Sequence, residues 1–226
     1  MFVARSLSRE SQPLPLPRAH SFGEELANTI SHCIGLLAAV IATPVLLIAA
    51  WHSGSAGFFA GTIVFVATMF VLYFVSMLYH AWPQTRAKKT LQMLDHCAIF
   101  LLIAGTYTPF SLGPLRGVWG SVILGTIWLL AIFGVLLKAI HGPMRHRGFG
   151  LFLYLAMGWS ALIIIRPLIS SLPPGALFWL ITGGVAYTAG VLFYINERMR
   201  YAHFIWHLFV LTGTSCHCLA VFACTA

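Results

Sequence analysis

The sequence predicts an all-α membrane protein: a seven-transmembrane helix bundle with its amino terminus in the cytoplasm and its carboxyl terminus outside. Three observations carry that prediction. Of 226 residues, 59% are hydrophobic and 8% charged, with a mean hydropathy of +0.88, whereas a soluble domain carries about 25% charged residues. Seven apolar runs are long enough to cross a bilayer, each crossing needing about 20 residues. The basic residues are segregated: among the 13 Lys and Arg, only Arg116 and Arg166 fall on the far side of a seven-span threading. The others (Arg5, Arg9, Arg18; Arg86, Lys88, Lys89; Lys138, Arg145, Arg147; Arg198, Arg200) share the amino-terminal side. The positive-inside rule makes that side cytoplasmic. It also accounts for the net charge of +8, so no nucleic-acid partner is expected.

Residues 1–22 are polar, carry Pro13, Pro15 and Pro17, and lack an apolar core suited to a signal peptide. They read as a disordered cytoplasmic tail ahead of a transmembrane domain over 23–226. Helix one covers about 28–51, and His52-Ser53-Gly54-Ser55 turns the chain into helix two, about 57–80. A basic loop from Trp82 to Lys89 precedes helix three, about 91–112. Within it, Pro109 removes a backbone bond and is expected to kink or end the helix, with nearby threonine hydroxyls serving the freed carbonyls. Gly113-Pro114 leads into helix four, about 118–140; helices five, six and seven follow at about 149–169, 176–195 and 201–223. The cysteines (Cys33, Cys97, Cys216, Cys218, Cys224) all lie in apolar segments. They read as small buried hydrophobes rather than a disulfide framework.

Threading brings polar residues from separate helices to one depth. His32 begins helix one, His80 ends helix two, Asp95 begins helix three, and His203 and His207 begin helix seven, all on the cytoplasmic side. His203 and His207 are four apart, hence one turn above one another on one face. Desolvated imidazoles are costly in hydrocarbon, and converging neutral ring nitrogens commonly hold a transition metal. Read singly, each histidine is an ordinary interfacial ring at a helix end. Read together, His80, His203 and His207 suggest a zinc site. Three histidines with a water in the fourth position form a catalytic arrangement, the metal lowering that water's pKa to about 7. Asp95 is the only aspartate. Alone it could be an interfacial carboxylate favoured by the helix dipole; beside the histidines it could accept a proton from the water or hold it. Ser76, one turn before His80, could hold the water or a substrate carbonyl, its bland role being a bond to its own helix. Glu25, Asn28 and His32 could support the site from helix one. His20, His52, His141 and His146 read as solvated. His217 lies about 21 Å beyond His203 along a helix, too far to join.

Several stretches also resemble one known family: Glu25-x-x-Asn28-x-x-Ser31-His32, Ser76-Met77-Leu78-Tyr79-His80, Leu94-Asp95-His96-Cys97 continuing to Gly105-Thr106-Tyr107-Thr108-Pro109-Phe110, and His203-Phe204-Ile205-Trp206-His207. With these the chain resembles the haemolysin III proteins, the bacterial branch of the progestin and adiponectin receptor superfamily. The resemblance implies seven helices in the bacterial inner membrane and a zinc ion near the cytoplasmic side. It also implies His80, His203 and His207 as ligands, with Ser76 and Asp95 beside them. The eukaryotic relatives look like ceramidase-type hydrolases, which implies a metal-dependent hydrolase of a lipid amide. The alternative is a non-enzymatic protein with a structural metal, acting in membrane lipid homeostasis or sensing, or as a cytolysin. A transporter or channel is less well supported, because no internal repeat or broken-helix pair is visible.

Overall fold

The structure is a computed structural model that describes residues 20–143, 147–196 and 198–225. Of the expected tail over 1–22, residues 1–19 lie outside the described residues, as does His146; Phe22 is already helical. Among the described residues, seven helices are long and apolar enough to cross a membrane: α1 (Phe22–His52), α2 (Ala56–Ala81), α3 (Arg86–Leu112), α4 (Val118–His141), α5 (Arg147–Ser171), α6 (Pro174–Tyr194) and α7 (Ala202–Ala223). No strand occurs among the described residues. Arg86, Lys88, Lys138, Arg147, Arg198 and Arg200 lie towards one end of the bundle, and Arg116 and Arg166 towards the other. By the positive-inside rule the first end is cytoplasmic.

Helix α1 starts several residues earlier than its apolar run. Ser21 caps it: the Glu24 amide donates to Ser21 Oγ (3.4 Å) and the Ser21 amide donates to Glu24 Oε2 (2.8 Å), a reciprocal capping box. Polar residues Glu24, Glu25 and Asn28 are therefore helical, within the first two turns. Helix α3 likewise begins inside the stretch read as a basic loop, so Asp95 sits in its third turn rather than in its first or second. Nor does Pro109 end α3, which continues to Leu112. Thr106 and Thr108 hydroxyls donate to the carbonyls of Leu102 and Ala104 (both 2.8 Å), rather than to Gly105, whose carbonyl the proline releases. The close approach of α2 holds this region: a Cβ added to Gly61 would lie 2.5 Å from Pro109 Cα. Such small-residue contacts take the place of a hydrophobic driving force between membrane helices.

Helix α3 is the most buried span. Helices α1, α2, α3 and α4 pack in sequence, α7 packs on α1, and α6 packs on α7. The arc is loosely joined between α5 and α6, which touch little. Helix α5 is itself interrupted by a 3-10 stretch, Ser160–Ile164. Tyr107 of α3 serves the backbone there: its hydroxyl accepts from the Ala161 amide (3.1 Å) and faces the carbonyls of Met157 (2.9 Å) and Gly158 (2.8 Å). An irregular backbone in a span is tolerated where protein groups satisfy it. The apolar residues facing outward, such as Leu37, Val40, Ile41 and Val45 on α1, supply the lipid-facing surface.

Candidate metal centre and cavity

At the cytoplasmic end, the heads of α1 and α7 are tied together. Glu24 is buried, and its Oε1 accepts from the Tyr201 amide (2.9 Å). Tyr201 precedes α7 with φ of 59°, a left-handed conformation unfavourable for a bulky residue. The bond from Glu24 helps hold it there and so sets where α7 starts. His203 and His207 follow on the first turns.

Each of His80, His203 and His207 offers a nitrogen within 4.8 Å of the others. With metal–nitrogen distances of about 2.1 Å, one ion can be shared after small side-chain shifts. His80 and His207 are fully buried and His203 is half-buried. The tautomers follow from the partners. Glu25 Oε2 lies 2.6 Å from His80 Nδ1, and a carboxylate can only accept, so Nδ1 carries the proton. The other nitrogen, Nε2, is then a lone pair, and it is buried with no partner among the described residues. The contact between Asn28 Nδ2 and the same Nδ1 (3.4 Å) sets donor against donor in this tautomer and adds no bond. At His207, Ser31 Oγ already donates to the Asn28 carbonyl (2.8 Å). It must accept from His207 Nδ1 at 3.0 Å, which leaves Nε2 of His207 as a lone pair too. Hydrogen bonds of this kind orient metal-binding imidazoles. A buried lone pair without a donor is costly; a cation between the rings would remove that cost at His80 and take the lone pair of His207 as a second ligand. The residues present fit a metal ion.

Lys88 completes the outer layer, its Nζ donating to Glu25 Oε1 (2.9 Å) and to the Trp82 carbonyl (3.2 Å). Asp95 and Ser76 are buried side by side within hydrogen-bonding reach. Both line a cavity that also reaches His32, His203 and His207. This cavity, about 450 Å³, falls in the size range of small-molecule sites, roughly 300–1,000 Å³. Its walls are mostly apolar side chains of α3, α5, α6 and α7. Leu162 and Ile169 on α5 and Ile181 on α6 line it while remaining 56%, 59% and 56% exposed. The cavity thus opens sideways between α5 and α6, towards lipid rather than water. His217, too distant for the cluster, lines its deeper part.

Three features were not legible beforehand. Glu24 and Lys88 carry buried contacts although the sequence places them in polar segments. Ser31 fixes a ring 176 positions away. His20, expected to be merely solvated, is exposed but packs against His203 and His80, with ring centroids 5.3 and 6.5 Å apart. The Ser21-x-x-Glu24 pattern was the usable signal: it marks a helix start at residue 22, which puts Glu25, Asn28 and His32 on one face. His52 and His141, which read as solvated, are exposed terminal residues of α1 and α4. The five cysteines are free.

Fold and site together define a polytopic membrane protein with a possible metal-binding cluster at one end of its helix bundle. The chain belongs to the family described as Haemolysin-III related, whose sequence model matches residues 20–218. It is 41% identical over 201 residues to the Hemolysin-3 homolog of Bacillus subtilis, covering 89% of this chain and 92% of that one. To Hemolysin-3 of Bacillus cereus it is 40% identical over 192 residues, 85% and 87% of the two chains. The human monocyte to macrophage differentiation factor is 30% identical over 160 residues, 66% of this chain and 64% of the relative. No solved structure matches.

Proposed function

We propose that this protein is a zinc-dependent hydrolase of lipid amides, ceramidase-like in reaction, working in the bacterial inner membrane. The observation behind this reading is the partnerless buried Nε2 of His80, oriented by Glu25, in a three-imidazole set at the end of a laterally open apolar cavity. Three imidazoles suit zinc and leave a coordination position open. When bound, zinc supplies Lewis-acid chemistry, polarising a carbonyl and acidifying water.

The protein's own groups do the rest. The α5–α6 opening admits an acyl chain from the bilayer, and the apolar walls bind it and exclude bulk water. The Ser76 hydroxyl orients the amide carbonyl. Asp95 takes a proton from the attacking water and delivers it to the leaving nitrogen, so that water adds across the C–N bond to give a fatty acid and an amine. Metal analysis of purified protein, joined to a lipid-product screen, tests this. Wild type is expected to hold zinc and release fatty acid. Asp95→Asn is expected to keep zinc and lose turnover by about 10²–10⁴-fold, and unchanged turnover in that variant would refute the assignment.

A second reading is favoured by the name of the Bacillus cereus relative, Hemolysin-3. There the metal only clamps α2 to α7, and the protein acts as a cytolysin or in lipid homeostasis. Zinc content and stability would then fall together on His80→Ala, while no lipid amide is ever cleaved.

A further inference from the structure

A second set of ligand atoms lies outward of the first. His20, Glu25 and His80 each offer one within 4.8 Å of the others, so His80 belongs to both sets. Exposure falls along the outer set from His20, exposed, through Glu25, half-buried, to His80, buried. The His20 ring faces His203 of the inner set as well as His80. We propose that His20, Glu25 and His80 form a transient divalent-cation site through which the inner cluster is loaded from the cytoplasmic side. This rests on the metal-centre reading above.

The shared histidine sets the rule of occupancy. A neutral imidazole has one lone-pair nitrogen. With an ion in the inner cluster, His80 ligates through Nε2 and gives its Nδ1 proton to Glu25. With an ion in the outer set, it ligates through Nδ1, beside Glu25 Oε2, and the ring proton sits on Nε2. The ring is neutral in both states, so the sets exclude one another and transfer moves one proton from Nε2 to Nδ1. The carboxylate that lets the ion go receives that proton as a hydrogen bond, so neither group is stranded. Two imidazoles and a carboxylate are zinc-type donors. Lys88, 2.9 Å from Glu25 Oε1, places a positive charge beside the outer set and keeps binding there weak, as a transit position requires.

The test uses full-length protein in detergent, stripped of metal and mixed with Co²⁺, whose visible absorption reports its ligands. His20→Ala is expected to reach the wild-type end point of one ion per chain with unchanged affinity. Its uptake should be slower by about tenfold, the lower range for losing one polar group near a metal. His203→Ala, which breaks the inner cluster and spares the outer, is expected to bind one ion weakly, and His20→Ala added to it should abolish that binding. Wild-type uptake rates in His20→Ala, or equal ion binding by His203→Ala and the double variant, would overturn the proposal alone. A wild-type protein that takes up no ion would overturn the metal centre itself and the loading site with it.

Discussion

Glu25→Gln separates charge from shape at the carboxylate that bonds both His80 and Lys88. The carboxylate accepts on both oxygens, from His80 Nδ1 at 2.6 Å and from Lys88 Nζ at 2.9 Å. Glutamine has one acceptor and one donor end, and each placement spoils something. With its oxygen towards Lys88, its NH₂ meets His80 Nδ1, which must give up its proton. That proton then occupies Nε2, the nitrogen facing the metal cluster. With its oxygen towards His80, its NH₂ meets the Lys88 ammonium, donor against donor. Loss of a group that orients a metal ligand costs about 10–100-fold in affinity, or about 1.4–2.8 kcal/mol. The assay is a Zn²⁺ titration against a competing chelator, with His80→Ala as the reference for loss of a ligand. Glu25→Gln should fall between wild type and His80→Ala. Wild-type affinity in Glu25→Gln, with His80→Ala defective, would show that the tautomer argument is wrong.

The same logic predicts a milder effect at His207. Ser31→Ala removes the acceptor of its Nδ1 proton, a neutral bond, and the same titration should show zinc binding weakened by about tenfold or less. Chelation should destabilise the fold: at free zinc of 100 times its dissociation constant the ion contributes about 2.7 kcal/mol, seen as a lower thermal midpoint that returns on readdition. Gly61→Ala puts a methyl group 2.5 Å from backbone Pro109 Cα; overpacking of this kind costs about 1–3 kcal/mol. It should lower the thermal midpoint without changing zinc affinity.

The spans were legible because hydrocarbon imposes a simple rule: every backbone polar group must be bonded internally, so apolar length alone finds the helices. Helix beginnings were less legible because they are polar. Hydropathy excludes Phe22–Leu26 of α1 and Arg86–Thr90 of α3, yet both are helical. Here capping and tertiary contacts, rather than apolarity, decide. Pro109 is a case of the same kind. Its local effect is a lost bond, which sequence alone reads as a kink or an end; α3 packs closely on α2 at Gly61 and continues past it to Leu112.

At the site, helical spacing and depth suffice to bring out His80, His203 and His207, because an imidazole deep in an apolar run stands out against its neighbours. What spacing does not reveal is the layer that decides which nitrogen each ring presents. Glu24 and Lys88 are ordinary residues in sequence and Ser31 enters there only as part of a motif; their importance comes from where α1 lies against α2, α3 and α7. Ser31 illustrates this: a serine bonding back to its own helix at Asn28 is usually unremarkable. Here that back-bond uses up the hydroxyl proton and leaves an acceptor for His207. Helix α1, which supplies none of the three imidazoles, thereby controls the tautomer of two of them. Metal affinity should therefore respond to changes in α1 as well as to changes in α2 and α7.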